Sequence, residues 1–191
     1  MDIVERAVQV LRRDGIIVYP TETVYGLGAD AFSEDAVQRV YEIKQRPLSK
    51  PMSVAVGDPE MLWAIARVDE VAEEFIRRFL PGPVTVVLPS TSCLPDILTG
   101  GTGLIGVRIP DCAVTLEIIE ELDAPITATS ANVAGAPAPT LPSEIRVACD
   151  MVVDGGALPG IPSTVVDLSD RRILRPGVLT EEIRHFLENV R

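Results

Sequence analysis

Apolar positions recur at helical spacing at the start of the chain, where Ile3, Ala7, Val10 and Leu11 share one face of residues 3–13. Gly15 interrupts that pattern before the continuous apolar run Ile16, Ile17, Val18 and Tyr19, so the opening reads as helix, turn and buried strand. Ser33 is a natural N-cap, with Glu34 and Asp35 in the first turn; Ala36, Val37, Val40 and Tyr41 carry the helix on until Pro47 forbids its extension. A short strand over 52–56, two helices near 59–66 and 69–80, and strands over 84–88 and 104–109 follow. Asp111 is expected to cap a helix reaching Leu122, 126–129 to form a strand, and 143–149 a short helix. Strands near 151–153, 164–168 and 172–175 precede a last helix with Thr180 as its cap. Helices and strands are interspersed with no repeat and no Gly/Ser-rich linker, which predicts a single α/β domain over residues 1–191 built on a twisted mixed β-sheet flanked by helices.

Composition narrows the chemistry. No apolar run approaches the roughly 20 residues that cross a bilayer, and the N-terminus is charged and amphipathic without a signal-peptide core, so no membrane association is expected and a soluble, cytoplasmic protein is. Cys93, Cys112 and Cys149 are odd in number and far apart, which suggests buried thiols rather than disulfides or a zinc site. His185, the only histidine, lies in an expected surface helix near the end of the sequence, so a Ser-His-Asp triad is a poor fit. The formal charge of −11 argues against a broad nucleic-acid surface, because phosphate backbones are held by many cations. Charge is nonetheless concentrated locally. The chain has only two lysines, Lys44 and Lys50, and they flank Arg46 in the acid-free segment KQRPLSKP, a pattern suited to a small anion. For Lys44 and Arg46 to reach one ligand the helix must unwind near Lys44, as Pro47 favours by moving Arg46 away from helical backbone.

Two glycine-rich stretches invite comparison with phosphate loops, and both fail it. In YPTETVYGLGADAF, Phe32 falls one position beyond where GLGADA lacks the third glycine of the dinucleotide fingerprint, leaving Gly26 and Gly28 as candidates for a tight turn. GGTG at 100–103 leads into a strand and lacks the following lysine. Residues 124–143 contain no charged side chain; Ser130, Asn132 and Gly135 follow the expected strand end in a proline-rich loop able to meet a base, ribose or phosphate. Ser163 stands just before a strand, Arg175 at the end of one, and Arg108 is a lone cation in the apolar segment GVRIP, where an arginine is paired or aimed at a ligand.

Read in order, YPTETVYGLGADAF, KQRPLSKP, LPGPVTVVLP, GVRIP, TSANVAG, IPSTVVD and ILRPG resemble the YrdC-like family of threonylcarbamoyl-AMP synthases over nearly the whole chain. The resemblance implies an α/β fold with a deep concave site and a reaction joining L-threonine, bicarbonate and ATP into L-threonylcarbamoyladenylate with release of pyrophosphate. That product serves tRNA N6-threonylcarbamoyladenosine synthesis, with tRNA threonylcarbamoyl transferase machinery as the downstream partner. Carried over by position, Lys44, Arg46, Lys50, Ser130, Asn132 and Arg175 would bind ATP, with Lys44 and Arg46 catalytic, and Thr23, Arg108 and Ser163 would bind L-threonine. Mg²⁺ would come with ATP, held mainly by its phosphates, with no protein metal site. Two positions depart from the pattern: the loop continues VAG where many relatives place a serine before the glycine, and Ala138 stands where a hydroxyl is common. The short sequence after ILRPG leads to the expectation that the additional C-terminal domain of longer relatives is absent. The alternatives are a paralogue of the same fold acting on another ligand, or a double-stranded RNA or tRNA-binding module with weak RNA binding.

Overall fold

The computed structural model describes residues 1–190; Arg191, the last residue of the expected domain, lies outside the described residues. In chain order the elements are α1 (Ile3–Leu11), β1 (Ile17–Tyr19), β2 (Gly26–Gly28), α2 (Glu34–Lys44), β3 (Val54–Ala55), α3 (Pro59–Ile65), α4 (Glu70–Phe79), β4 (Val84–Pro89), β5 (Leu104–Arg108), α5 (Ala113–Leu122), β6 (Ile126–Thr127), β7 (Thr129–Ser130), β8 (Met151–Val152), β9 (Thr164–Asp167), β10 (Arg172–Arg175) and α6 (Thr180–Asn189). Local chemistry sets several of the boundaries. Asp2 and Glu5 form a reciprocal capping box on α1, and Ser33, Asp58 and Asp69 accept the first free N–H groups of α2, α3 and α4.

The α/β class and the flanking helices are those that the periodicity predicts, with the strands divided between two mixed sheets. One has the order β7-β2-β1-β8; β1 runs antiparallel to β2 and parallel to β8. The other has the order β10-β9-β4-β5-β3-β6 and alternates antiparallel and parallel pairs across its width. The expected strand over 126–129 is where the chain passes between them: Ile126 and Thr127 pair with β3, whereas Thr129 and Ser130 pair with β2. An isolated bridge between Asp30 and Ile126 ties the sheets at the same place.

Two apolar clusters support this arrangement. The larger joins α2 and α4 to both sheets through Tyr41, Phe75, Leu27 and Val86, and the smaller packs α1 against α5 and β1 through Leu11, Ile17, Ile118 and Ile119. Phe75, Phe79 and Phe186 close the far side of α4 and α6 as a tilted and edge-on aromatic group.

Several boundaries differ from expectation for identifiable reasons. Residues 143–149 do not form a helix; a single 3-10 turn spans Pro142–Glu144, and the Glu144 carboxylate folds back to accept N–H groups of Thr140 and Leu141. Cys112, not Asp111, occupies the cap position of α5, and the Asp111 N–H is instead given to Glu22. Thr180 is the first residue of α6 rather than its cap, and its hydroxyl closes a turn with Gly177. The thiols are less buried than expected, with Cys93 exposed and Cys112 and Cys149 half-buried.

Candidate functional site

Between the two sheets lies a cavity of about 480 Å³, within the range of small-molecule sites. Tyr19, Thr21, Thr23 and Gly26 line it from β1, β2 and their connecting loop, and Thr85, Arg108, Val165 and Arg175 from β4, β5, β9 and β10. The nine residues selected from sequence, Thr23, Lys44, Arg46, Lys50, Arg108, Ser130, Asn132, Ser163 and Arg175, all line this one cavity. Among the described residues five cations line it and no carboxylate does, so the cavity favours an anionic ligand.

The glycines of the opening stretch serve close packing rather than a turn. Gly26 and Gly28 lie in β2 without positive φ, and a Cβ on Gly26 would stand 2.6 Å from Cζ of Tyr19. The Tyr19 ring therefore packs directly against β2, and its hydroxyl donates to the Thr127 carbonyl at 2.9 Å. Burial pushes its pKa up, which keeps it a neutral donor.

The first group of cations belongs to the end of α2. The helix stops at Gln45, which takes the left-handed conformation with φ 50°, so Lys44 and Arg46 escape their helical spacing. Lys44 is 2% exposed, and its ammonium donates to the carbonyls of Ser130 and Asn132 and to Asn132 Oδ1, the second at 2.7 Å and the third at 3.4 Å. All three of its hydrogens are thus directed at the end of β7 and the loop after it. The Lys44 carbonyl accepts the Ala134 N–H at 2.9 Å, so backbone and side chain grip the same loop. Burial first, and the neighbouring Arg46 second, push the Lys44 pKa down to about 8. Arg46 is fastened differently: its Nη2 donates to the Pro51 carbonyl at 2.6 Å and its Nε to the Lys50 carbonyl at 3.3 Å. Ser130 Oγ donates to Asn132 Oδ1, and Asn132 Nδ2 donates to the Ala136 carbonyl, which holds the uncharged loop in a closed turn.

The second group of cations belongs to the larger sheet. Arg175 donates from Nε and Nη2 to the Ser163 carbonyl at 3.2 and 2.9 Å, and from Nη2 to Ser163 Oγ at 3.1 Å. Ser163 Oγ in turn lies 3.2 Å from Thr85 Oγ1. Burial and the proximity of Arg108 push the Arg175 pKa below its ordinary value. Arg108 lies 3.5 Å through Nη1 from Thr23 Oγ1, which itself is 2.8 Å from Thr21 Oγ1. Arg108 Nη2 is ion-paired with Glu22, and among the described residues the buried Arg108 Nε has no hydrogen-bond partner. The site is therefore a crevice with hydroxyl-lined walls and two separate cationic groups, one at the end of α2 and in the loop after it and one on strands.

Two residues of this arrangement escaped the sequence reading. Thr85 looks like an ordinary strand residue in VTVVL, and only its register opposite Val165, which also lines the cavity, reveals its face. Glu22 was visible as a carboxylate between two threonines, but nothing local shows that a residue 86 positions away is its partner.

Comparison with known proteins points in one direction. The sequence profile of the Sua5/YciO/YrdC family, described as telomere recombination, matches residues 9–177. The chain is 39% identical to a threonylcarbamoyl-AMP synthase of Pyrococcus abyssi, over 95% of this chain and 56% of that protein. To a threonylcarbamoyl-AMP synthase of Bacillus subtilis it is 38% identical, over 94% of this chain and 54% of that one. The chain thus spans about half the length of these curated relatives. The crystal structure of P. abyssi Sua5 complexed with L-threonine superposes with a TM-score of 0.89 at 38% identity, covering 98% of this chain and 58% of that one.

Proposed function

The chain belongs to the Sua5/YciO/YrdC family, and from that premise we propose that it is an L-threonylcarbamoyladenylate synthase, a nucleotidyltransferase acting in tRNA N6-threonylcarbamoyladenosine formation. The observation that carries this reading is the cavity itself: two cationic groups face one space, among hydroxyls and without a lining carboxylate. A relative of the same fold bears L-threonine, and relatives matched over most of this chain bear the synthase name.

In this reading the strand-side group takes the amino acid. Arg108 receives the threonine carboxylate, and the hydroxyls of Thr23 and Ser163 position the rest of the molecule. The loop-side group takes ATP: Arg46 and Lys50 meet the phosphates, Arg175 reaches between the two groups, and Ser130 and Asn132 meet the nucleoside or phosphate oxygens. Lys44 supplies charge from behind the Ser130–Asn132 turn and keeps that turn in shape, since its hydrogens are already committed there.

The threonine amine adds to the carbon of bicarbonate, water leaves, and a carbamate results. A carbamate oxygen then attacks the α-phosphorus while the bond to pyrophosphate breaks on the opposite side. Such a transfer demands alignment and stabilisation of phosphate charge more than a covalent nucleophile, which suits a cavity of fixed cations and hydroxyls. The lining residues offer no carboxylate cage, so Mg²⁺ fits here as an ion carried by the ATP phosphates and water, where it would neutralise developing charge. Because a carbamate decomposes in water, the proline-rich segment 133–142 beside the cavity is assigned the role of a cover. The unstable adenylate passes to a tRNA threonylcarbamoyl transferase.

The test is pyrophosphate release by the purified chain with ATP, Mg²⁺ and bicarbonate, each of the common amino acids being supplied in turn. Release is expected with L-threonine and to cease when threonine or bicarbonate is withheld. Equal release without threonine would contradict the assignment.

A further inference from the structure

Glu22 is not part of the cavity wall; it lies behind Arg108, with its side chain 16% exposed, and its two oxygens are divided between two partners. Oε1 pairs with Arg108 Nη2, and Oε2 accepts the Asp111 N–H at 3.2 Å. The carboxylate thereby links the β1–β2 loop of one sheet to the end of β5 in the other, at the strand-side group of cations. That group holds two guanidiniums, Arg108 and Arg175, the second shared with the nucleotide side, and this one carboxylate beside Arg108, and so carries a single net positive charge. Among the described residues no ion pair joins Lys44, Arg46 or Lys50 of the loop-side group to a carboxylate. The cavity is graded in charge as a result.

We infer that Glu22 is a specificity-determining residue that shifts the preference of the strand-side end away from a dianionic phosphate and toward a monoanionic carboxylate. The inference rests on the proposed reading of this end as the amino-acid site. A cavity with five cations needs some means of keeping phosphate out of the place meant for a carboxylate, since phosphate is the more strongly attracted of the two wherever positive charge is uncompensated. A fixed negative charge next to Arg108 repels a dianion about twice as strongly as a monoanion, which is discrimination against the competitor rather than improved contact with the substrate. The guanidinium retains free hydrogens for a substrate carboxylate, Nε among them.

The experiment is calorimetric titration of L-threonine into the full chain at pH 8, with and without inorganic phosphate as competitor, read as the ratio of the two dissociation constants. Glu22→Gln keeps the size and one acceptor while removing the charge, and is expected to shift that ratio about tenfold toward phosphate, the effect of one charge across a partly solvated site. Glu22→Asp, which retains the charge, is expected to hold the wild-type ratio. A purely structural role would weaken both ligands together, so an unmoved ratio in Glu22→Gln, or one shifted toward threonine, overturns the inference. If Glu22→Gln does not fold, wild type decides: the α-aminophosphonate analogue of threonine should bind at least about tenfold more weakly than threonine, and equal affinity overturns the inference. If wild type binds no threonine, the substrate reading fails by itself. A phosphate affinity gained in Glu22→Gln and abolished by adding Arg108→Ala would still uphold the charge effect, and its absence would end it.

Discussion

The ammonium of Lys44 directs its three hydrogens at the end of β7 and the loop after it, which changes what a substitution there should do. Lys44→Ala removes a buried cation and leaves the Asn132 carbonyl without its donor, while the Ser130 carbonyl keeps the Asn132 N–H and Asn132 Oδ1 keeps Ser130 Oγ, so it is expected to cost about 1–3 kcal/mol of stability as well as nucleotide affinity. Urea unfolding measures the first; a midpoint indistinguishable from wild type would show that the clamp contributes nothing. Protonation gives a second prediction. Burial lowers the Lys44 pKa to about 8, so the cation is present below that pH and absent above it. Nucleotide affinity is therefore expected to fall as pH rises through about 8, and Lys44→Arg, which stays charged, should flatten that fall. An identical pH profile in the two proteins would remove Lys44 as its source.

At the scale of elements, the strongest control over the site comes from β2 lying directly on a ring of β1. Gly26→Ala places a methyl group where the Tyr19 ring already stands, and either the ring or the strand must move. The expected cost is about 1–3 kcal/mol, read by thermal or urea unfolding, together with reduced ligand binding because Tyr19 and Gly26 both line the cavity. Wild-type stability and binding would show that β2 does not depend on this contact. Gly26 and Gly28 stand out in the sequence, but their spacing suggests a tight turn, because a close approach between strands leaves no local trace. Most helices and strands were legible because capping residues and apolar periodicity are local properties, as at Ser33, Asp58 and Asp69. The unwinding after Lys44 was legible for the same reason, through Pro47. What stayed hidden depends on partners distant in sequence: the division of 126–130 between two sheets, the Thr140 and Leu141 contacts that turn Glu144 back and prevent a helix, and the Glu22–Arg108 pair.

Over the molecule as a whole, an acidic chain with a formal charge of −11 encloses a cavity lined by five cations. That contrast favours a small anion held inside over a polyanion spread across the surface, which is why an RNA-binding reading is the weaker one. Every candidate chosen from motifs lines the same cavity, although those motifs are scattered between residues 23 and 175, and it is the packing of two sheets that gathers them. No helix among the described residues is long and apolar enough to cross a membrane. In the proposed reaction this cavity joins threonine and bicarbonate carbon to the adenylate of ATP. The most direct measurement is mass spectrometry of the products formed from L-threonine, ATP, Mg²⁺ and ¹³C-bicarbonate, quenched early. A threonylcarbamoyladenylate bearing one heavy carbon is expected, in amounts matching the pyrophosphate released; ATP consumption that leaves no heavy carbon attached to an adenylate would contradict the account.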